Sequence, residues 1–279
     1  MNLLVTCNEQ YLPPLKTMLN SVFQSNHQAK FDIYFMHQKI NEIKMAELDA
    51  FITENGHVLH DIDCEGMFEA KVSVNRYYSI EMYYRLLAPF ILPKEVDRIL
   101  YLDPDIINLN PFDDFYHQDF KGNAFIATAH DYITKWIQPI NNIRLKTKES
   151  KDYFNTGVLL MNLDRIRESK KEEEILALIM NTKLLLLPDQ DIFNQIYWNE
   201  ILEEDWRLYN LDPRYYSILN TINLKEYNKE WVEREVVFIH YCGKHKPWNE
   251  KEQYRYELGE YYHFYQLDHF ADETVASEE

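Results

Sequence analysis

The stretch of sequence that decides the fold is residues 98–107, Arg-Ile-Leu-Tyr-Leu-Asp-Pro-Asp-Ile-Ile. Its apolar first half has the composition of a buried strand, and two carboxylates, Asp103 and Asp105, fall at or just past the C-terminal end of that strand. Pro104 between them removes a backbone N–H and fixes φ, so the hydrogen-bonded ladder of a sheet ends here. The stretch therefore predicts a strand that delivers two acidic side chains to one edge of a sheet.

The two carboxylates are candidate ligands for a divalent cation. Residues two apart in an extended chain point to the same side, so Asp103 and Asp105 can converge on one ion. Two hard oxygen ligands suit Mg²⁺ or Mn²⁺, which keep room for water and phosphate oxygens. The alternative is a structural turn, because Asp-Pro-Asp is also common turn chemistry. The pair alone leaves both interpretations open.

The chain before this stretch alternates between strands and helices. Strands are predicted at residues 2–6, 31–36 and 57–62, and helices that begin at Pro13 and Asn41 lie between them. This alternation predicts an α/β fold with a mostly parallel central sheet flanked by helices. Ligands of such sheets bind beyond the carboxyl ends of the strands, which is the edge that Asn8 and the acidic pair occupy.

Further elements are predicted after the acidic pair and just before it. They are a helix over 79–87 that ends near Pro89, strands over 123–129, 153–162 and 236–240, a helix over 164–181 and a helix that begins at Pro188. Residues 130–151 show no period and are predicted to form a long loop. Arg85 lies among apolar and aromatic residues, where it pairs either with a structural carboxylate or with a phosphate or acidic group of a site.

The predicted strand over 236–240 ends on a histidine, and a basic loop with a glycine follows it. A single histidine is more often structural than a ligand, but His240 stands at a strand end and can complete an Asp-Asp site that favours Mn²⁺ over Ca²⁺. Lys246 and the amides of the loop can then hold a diphosphate. The loop is a local basic cluster in a chain with a net charge of −17.

The composition excludes several classes of protein. With 279 residues, 46% of them hydrophobic, the chain can build a sizeable core, and without a linker or repeat one domain is the economical interpretation. Its net charge of −17 argues against nucleic acid and anionic membranes as partners, although a bound cation would let it accept a polyanionic small molecule. Cys7, Cys64 and Cys242 form no CxxC pair, and no apolar run approaches the roughly 18–20 residues of a membrane span. These features predict a cytoplasmic protein.

Several segments, taken in order, resemble glycosyltransferase family 8, the group that contains bacterial lipopolysaccharide galactosyl- and glucosyltransferases and glycogenin. The matching segments are residues 2–6 with the polar loop after them, 84–86, 101–105, 153–160, 189–191 and 240–248. The resemblance extends from about Met1 to Trp248. It implies a GT-A fold, the nucleotide-diphospho-sugar transferase fold. It also implies retaining transfer of a hexose, galactose or glucose, from a UDP-sugar with bound Mn²⁺, or Mg²⁺ in its place.

The resemblance also implies a role for each matching side chain. The implied metal ligands are Asp103, Asp105 and His240; the uridine contacts are Thr6, Asn8 and Gln10; the residues around the donor sugar are Arg85, Asn155, Asp189 and Gln190; and the diphosphate contacts are Gly243 and Lys246. Asp189 and Gln190 are the candidate catalytic residues. The sequence departs from the family at Asn8, where an acidic residue is common, at Gln10, where asparagine is common, and at Pro104, which has no N–H.

The implied enzyme has a catalytic domain over 1–250 and a helical C-terminal extension over 251–279 with an acidic, frayed end. Its expected partners are a UDP-hexose donor and a saccharide or glycolipid acceptor, and its expected location is the cytoplasm with weak association with the inner face of the membrane. One alternative is a UDP-sugar-binding protein of the same fold without turnover. A metal-dependent nucleotidyltransferase or phosphohydrolase is a second alternative, but residues 7–11 lack the Gly and Lys of a typical phosphate loop.

Overall fold

The structure is a computed structural model that describes residues 1–67, 81–129, 152–180, 188–249 and 254–267, together with residues 141, 142, 145, 147 and 150. Four predicted segments lie wholly or partly outside these residues. They are most of the loop over 130–151, the start of the helix over 79–87, the last residue of the helix over 164–181 and the acidic end of the chain.

The described residues form nine strands. Their bounds are β1 Asn2–Thr6, β2 Asp32–His37, β3 Val58–Asp63, β4 Arg98–Leu102, β5 Ile106–Asn108, β6 Phe125–Thr128, β7 Val158–Asn162, β8 Ile201–Glu204 and β9 Phe238–His240. Seven of them form one sheet in the order β3-β2-β1-β4-β7-β6-β8, and β5 pairs with β9 in a small second sheet. The predicted mostly parallel α/β sheet is confirmed, since β1 to β4 pair in parallel and β8 is parallel to β6.

Strand β7 is the exception, because it runs antiparallel to both of its neighbours, β4 and β6. The predicted strand over 153–162 was too long at its start, and the ladder begins only at Val158. The residues before it bend through Gly157, whose carbonyl accepts the N–H of Asp103 at 2.9 Å. Strand β8 was missed, because its sequence Ile-Leu-Glu-Glu lacks a buried apolar run and lies at the edge of the sheet.

Helices cover both faces of the main sheet. Their bounds are α1 Leu12–Ser25, α2 Glu42–Glu54, α3 Glu81–Ile91, α4 Asp113–Tyr116, α5 Leu163–Ser169, α6 Glu172–Met180, α7 Pro188–Tyr197, α8 Trp206–Tyr209, α9 Pro213–Ile222, α10 Lys229–Glu235 and α11 Gly259–Tyr265. The predicted start of α2 is confirmed, because the Asn41 side chain accepts the N–H groups of Ile43 and Lys44. The single helix predicted over 164–181 was wrong, since two helices occupy this segment and Asn162 caps the first. Helix α3 continues past Pro89 to Ile91.

Alternating residues of the strands feed two hydrophobic cores. Leu4 packs into one cluster with Tyr101, and Leu3 and Val5 pack into the other with α1, so the sheet is buried on both faces. Each fully buried Leu, Val or Phe contributes about 1.5–3 kcal/mol to folding. A third cluster forms around β9, α9, α10 and α11. Together these cores fix the carboxyl ends of β1 and β4 side by side and hold β9 next to them.

Candidate active site

The side chains of Asp103, Asp105 and His240 meet at the carboxyl end of β4. Asp103 follows that strand directly, Asp105 precedes β5, and the antiparallel register of β5 with β9 sets Ile106 opposite His240. The Nε2 atom of His240 lies 3.2 Å from Oδ1 of Asp105 and 3.7 Å from Oδ2 of Asp103. One ligand atom from each of the three residues lies within 4.8 Å of the other two.

This donor set fits a divalent cation such as Mn²⁺ or Mg²⁺. Carboxylate oxygens are hard ligands, and an imidazole nitrogen is a ligand of intermediate softness. A site with three protein ligands also leaves positions open for water or phosphate oxygens. Gly157 leaves space for the site because it has no side chain. A Cβ at this position would lie 2.2 Å from Cε1 of His240 and 2.9 Å from Oδ2 of Asp103. The residues present therefore fit the implied metal, and its identity stays a prediction.

Lys246 already contacts this site. Its ammonium donates to Oδ2 of Asp105 and to the carbonyl oxygen of Tyr241, the latter at 2.7 Å. Burial alone would raise the pKa of Asp105, but Lys246 and His240 outweigh it and hold that pKa well below its usual value. Burial opposes the charge of Lys246 as well, and Asp105 raises the pKa of the lysine above its usual value. The ammonium of Lys246 thus neutralises the negative charge of Asp105.

A buried arginine holds the other acidic groups in place. Nη2 of Arg85 lies 3.0 Å from Oδ1 of Asp103, and its Nε lies 3.7 Å from Oδ2 of Asp189. Its Nη1 donates to the carbonyl of Thr156 at 2.8 Å, and the guanidinium lies 4.4 Å from the centre of the Tyr101 ring. Burial would lower the pKa of Arg85, but the negative charges around it, above all that of Asp103, together outweigh burial and raise that pKa. Arg85 was expected to pair either with a structural carboxylate or with a group of the site. Its two carboxylate partners, Asp103 and Asp189, both belong to the candidate site.

Tyr101 and Thr6 support Asp103 from inside the sheet. The fully buried Tyr101 hydroxyl donates to Oδ1 of Asp103 at 2.5 Å and lies 3.3 Å from the hydroxyl oxygen of Thr6. A ligand carboxylate that is itself hydrogen-bonded is fixed in orientation, which strengthens a metal site. Tyr101 was predicted only as part of the buried strand, because nothing in a strand sequence shows which hydroxyl reaches an acid two residues later.

The two candidate catalytic residues lie in the first turn of α7. Asp189 is buried and accepts a hydrogen bond from the Thr156 hydroxyl at 3.1 Å. Burial raises the pKa of Asp189 above its usual value, although Arg85 opposes the shift. Gln190 follows it and is half-buried, and its backbone carbonyl oxygen accepts the side-chain N–H of Asn194 at 2.8 Å. Arg85 therefore links the start of α7 to the metal-site acids.

A cleft of about 350 Å³ opens beside Arg85, Asp103 and Asp105. Its lining includes five residues with predicted roles, which are Thr6, Asn8, Arg85, Asp103 and Asp105. Asn8 also accepts the N–H of Gln10 at 3.1 Å, so its amide oxygen caps the short turn after β1. Gln10 itself is exposed and is not part of this lining.

Asn155 and Gly243 complete the predicted set. Oδ1 of Asn155 accepts the N–H of Gly157 at 2.8 Å and the side-chain N–H of Asn210 at 2.9 Å, so this oxygen serves the local structure. Gly243 has a φ of +93°, a conformation that favours glycine, and a Cβ there would lie 3.2 Å from Nη1 of Arg214. The glycine therefore allows the turn that returns Lys246 to Asp105.

Replacing Gly157 with alanine should weaken Mn²⁺ binding by about 10-fold or more, since the new Cβ pushes His240 away from the acids and even outer-shell changes cost 10–100-fold. Electron paramagnetic resonance of free Mn²⁺ measures the affinity. The matched control is Gly259→Ala, because a Cβ there would lie 2.4 Å from Cδ1 of Tyr254, away from the metal-site acids. We expect the control to lose stability and keep its Mn²⁺ affinity; equal affinity of both variants would contradict the role of Gly157.

The family model for glycosyl transferase family 8 matches residues 2–252. The chain belongs to this family, and the predicted resemblance is confirmed. It is 26% identical over 259 residues to the lipopolysaccharide 1,2-glucosyltransferase of Escherichia coli, covering 88% of this chain and 73% of that protein. It is 27% identical over 196 residues to the lipopolysaccharide 1,3-galactosyltransferase of Salmonella typhimurium, covering 69% of this chain and 56% of that protein.

Solved structures show the same fold. An active-site mutant of LgtC superposes with a TM-score of 0.78 at 21% identity, covering 95% of both chains. The galactosyltransferase LgtC in complex with donor and acceptor sugar analogs superposes with a TM-score of 0.76, also at 21% identity and with 95% of both chains covered. The predicted GT-A fold is therefore confirmed. None of the helices in the described part of the chain has the length and apolar character that crossing a membrane requires.

Proposed function

We propose that this protein is a retaining glycosyltransferase that moves galactose or glucose from a UDP-sugar to a saccharide or glycolipid acceptor. The observation that carries the proposal is the meeting of Asp103, Asp105 and His240 at the carboxyl edge of a GT-A sheet, where the two aspartates line a cleft. The family supports a transferase that acts on sugars, and relatives act on lipopolysaccharide with glucosyl or galactosyl donors. An acidic protein with a bound cation can accept a polyanionic donor.

The proposed metal, Mn²⁺ or Mg²⁺, would be held by Asp103, Asp105 and His240 and would offset the charge that develops on the leaving diphosphate. We assign Lys246 and Gly243 to the diphosphate and Thr6, Asn8 and Gln10 to the uridine. With Asp105 holding the ion, Lys246 would no longer be paired with that carboxylate, and its ammonium would be available to the phosphate oxygens. A cation beside the leaving group stabilises the negative charge that develops there.

In the proposed reaction, the bond between the anomeric carbon and the phosphate oxygen breaks while the acceptor hydroxyl attacks from the same face. The leaving phosphate oxygen takes the proton of that hydroxyl. Because the attack comes from the face that the phosphate leaves, the anomeric configuration is retained. The sugar acquires positive charge, as in glycoside hydrolysis, and we propose that the side-chain carbonyl of Gln190 stabilises it. Arg85, Asn155 and Asp189 orient the sugar hydroxyls. We also propose that residues 1–250 form the catalytic domain, that the residues after 250 are an extension of it, and that the enzyme works in the cytoplasm.

Release of UDP across a panel of UDP-sugars, with Mn²⁺ and with a chelator, tests this function. We expect one UDP-hexose to be turned over and the chelator to stop the reaction. Tight UDP binding without release of sugar from any donor would contradict the proposed transferase activity. It would favour the alternative of a UDP-sugar-binding protein.

Replacing Lys246 with alanine should have opposite effects on the metal and on the donor. Without its ammonium, Asp105 is free for the ion, so nucleotide-free Mn²⁺ binding should tighten about 10-fold, the value of one charge-assisted hydrogen bond. The KM for the donor should rise, because the diphosphate loses a cation. Calorimetry and initial rates measure the two effects. Lys244→Ala is the control, since Lys244 is exposed in the same loop; a loss of stability alone, with normal kinetics, would contradict the role of Lys246.

A further inference from the structure

We infer that Asn210 is a positioning residue that sets the tautomer and orientation of His240 and thereby the metal affinity of the site. The inference rests on the proposed metal site. Asn210 is fully buried directly after α8, and its Oδ1 lies 2.8 Å from Nδ1 of His240. Nothing in the sequence singled it out, because an asparagine between two short elements has the usual composition of a turn.

The direction of this hydrogen bond follows from the backbone N–H of Gly157, which is connected to Asn210 through the side chain of Asn155. The N–H of Gly157 can only donate, so the Asn155 atom that lies 2.8 Å from it is the carbonyl oxygen. The Asn210 atom that lies 2.9 Å from that oxygen must then be the amide nitrogen, which also donates to the Thr128 hydroxyl oxygen at 3.0 Å. The remaining atom of the Asn210 amide, the one that faces His240, is therefore an acceptor.

An acceptor at this position determines the chemistry of the imidazole. Nδ1 of His240 must carry a hydrogen to donate to Asn210, so the lone pair of the neutral ring lies on Nε2. Nε2 is the nitrogen that faces Asp105 and Asp103, at 3.2 Å and 3.7 Å. The hydrogen bond thus aims the single metal-binding lone pair of the ring at the two carboxylates.

The backbone holds the amide in register with the histidine. The N–H of Leu211 donates to the carbonyl of Phe238, and the N–H of His240 donates to the carbonyl of Leu211, both at 2.9 Å. Residue 210 is therefore tied to β9 on one side, and its side chain is tied to Thr128 and Asn155 on the other. A fixed outer-shell acceptor of this kind typically changes metal affinity by 10–100-fold when it is lost.

The test is the Mn²⁺ affinity of the whole protein, measured by electron paramagnetic resonance without any donor or turnover. We expect Asn210→Ala to weaken binding by about 10–100-fold. Asn210→Asp keeps an acceptor for Nδ1, so it should retain most of the affinity even though it loses the donors to Asn155 and Thr128. The matched control is Asn108→Ala, which removes another fully buried amide with partners of its own, Val237 and Asn110. It should reduce stability and leave Mn²⁺ affinity unchanged.

The outcomes separate this inference from the proposed function. Equal Mn²⁺ affinity of Asn210→Ala and the Asn108→Ala control overturns the role of Asn210 even when the wild-type protein transfers sugar normally. Equal losses in Asn210→Ala and Asn210→Asp also overturn it, because the acceptor would then not be the determinant. Mn²⁺ binding that depends on Asn210 in a protein that releases no sugar supports the inference and contradicts only the proposed activity.

Discussion

Replacing Asp105 with alanine is expected to abolish the Mn²⁺-dependent part of UDP binding and to reduce sugar transfer by more than about 100-fold. The removal of an outer-shell partner already costs 10–100-fold in metal affinity, and we propose Asp105 as a direct ligand. The loss of the cation also leaves the charge on the leaving diphosphate uncompensated, and a single missing stabilising group can cost 10²–10³-fold in rate. Calorimetry of UDP with Mn²⁺ and with a chelator measures the first effect.

The design of this experiment must separate binding from folding. Asp105→Ala leaves the buried ammonium of Lys246 without its carboxylate, so we expect the variant to be less stable as well. Asp105→Asn keeps the shape of the side chain, and it should lose Mn²⁺-dependent UDP binding to a similar extent. Asp113→Ala serves as the control, because it removes one exposed carboxylate away from the cleft. Unchanged UDP affinity of Asp105→Asn in the presence of Mn²⁺ would contradict the assignment.

Replacing Arg85 with methionine is expected to destabilise the protein by about 3–5 kcal/mol, the cost of leaving a buried charge without its partner. Arg85 lies between Asp103 and Asp189, at 3.0 Å and 3.7 Å, and its removal leaves two carboxylates facing each other in a buried site. The midpoint of chemical denaturation measures the loss. Added Mn²⁺ should restore part of the stability, because the ion neutralises Asp103.

The control for Arg85 is Arg98, whose guanidinium donates to the backbone carbonyls of Tyr116 and Gln118 and lies over the Phe120 ring. We expect Arg98→Met to lose less stability than Arg85→Met, because no buried carboxylate loses its counter-ion there. Equal losses for the two variants, with no rescue of Arg85→Met by Mn²⁺, would show that Arg85 acts by packing rather than by charge.

The fold was predictable where burial shows in the sequence. The strand that ends before Asp103 carries the apolar run Ile-Leu-Tyr-Leu, and the start of α1 carries two prolines in its first turn. The direction of β7 was not predictable, because a strand buried on both faces is apolar throughout and carries no sign of its partner's direction. The break between α5 and α6 was missed as well, since the polar residues around Lys170 also fit the exposed face of one continuous helix.

The candidate site was also predictable only in part. The strand-end positions of Asp103, Asp105 and His240 and the resemblance to the family predicted a cluster, and the structure brings the three together. Sequence could not indicate that Lys246 contacts Asp105, because a lysine in a loop can reach either an acid or a phosphate. It could not indicate Asn210 either, since a side chain that acts through a hydrogen bond to a distant ring leaves no local pattern. These contacts depend on where the loops pack, and packing is set by the whole fold.

The most direct test of the account is a crystal structure with Mn²⁺ and UDP, recorded with X-rays that reveal manganese by its anomalous scattering. We predict one anomalous peak bound to carboxylate oxygens of Asp103 and Asp105 and to Nε2 of His240, with Nδ1 of that ring hydrogen-bonded to Asn210 and Lys246 moved from Asp105 toward the diphosphate. A His240 ring turned away from both acids, or no manganese between them in crystals that contain UDP, would contradict the central claim.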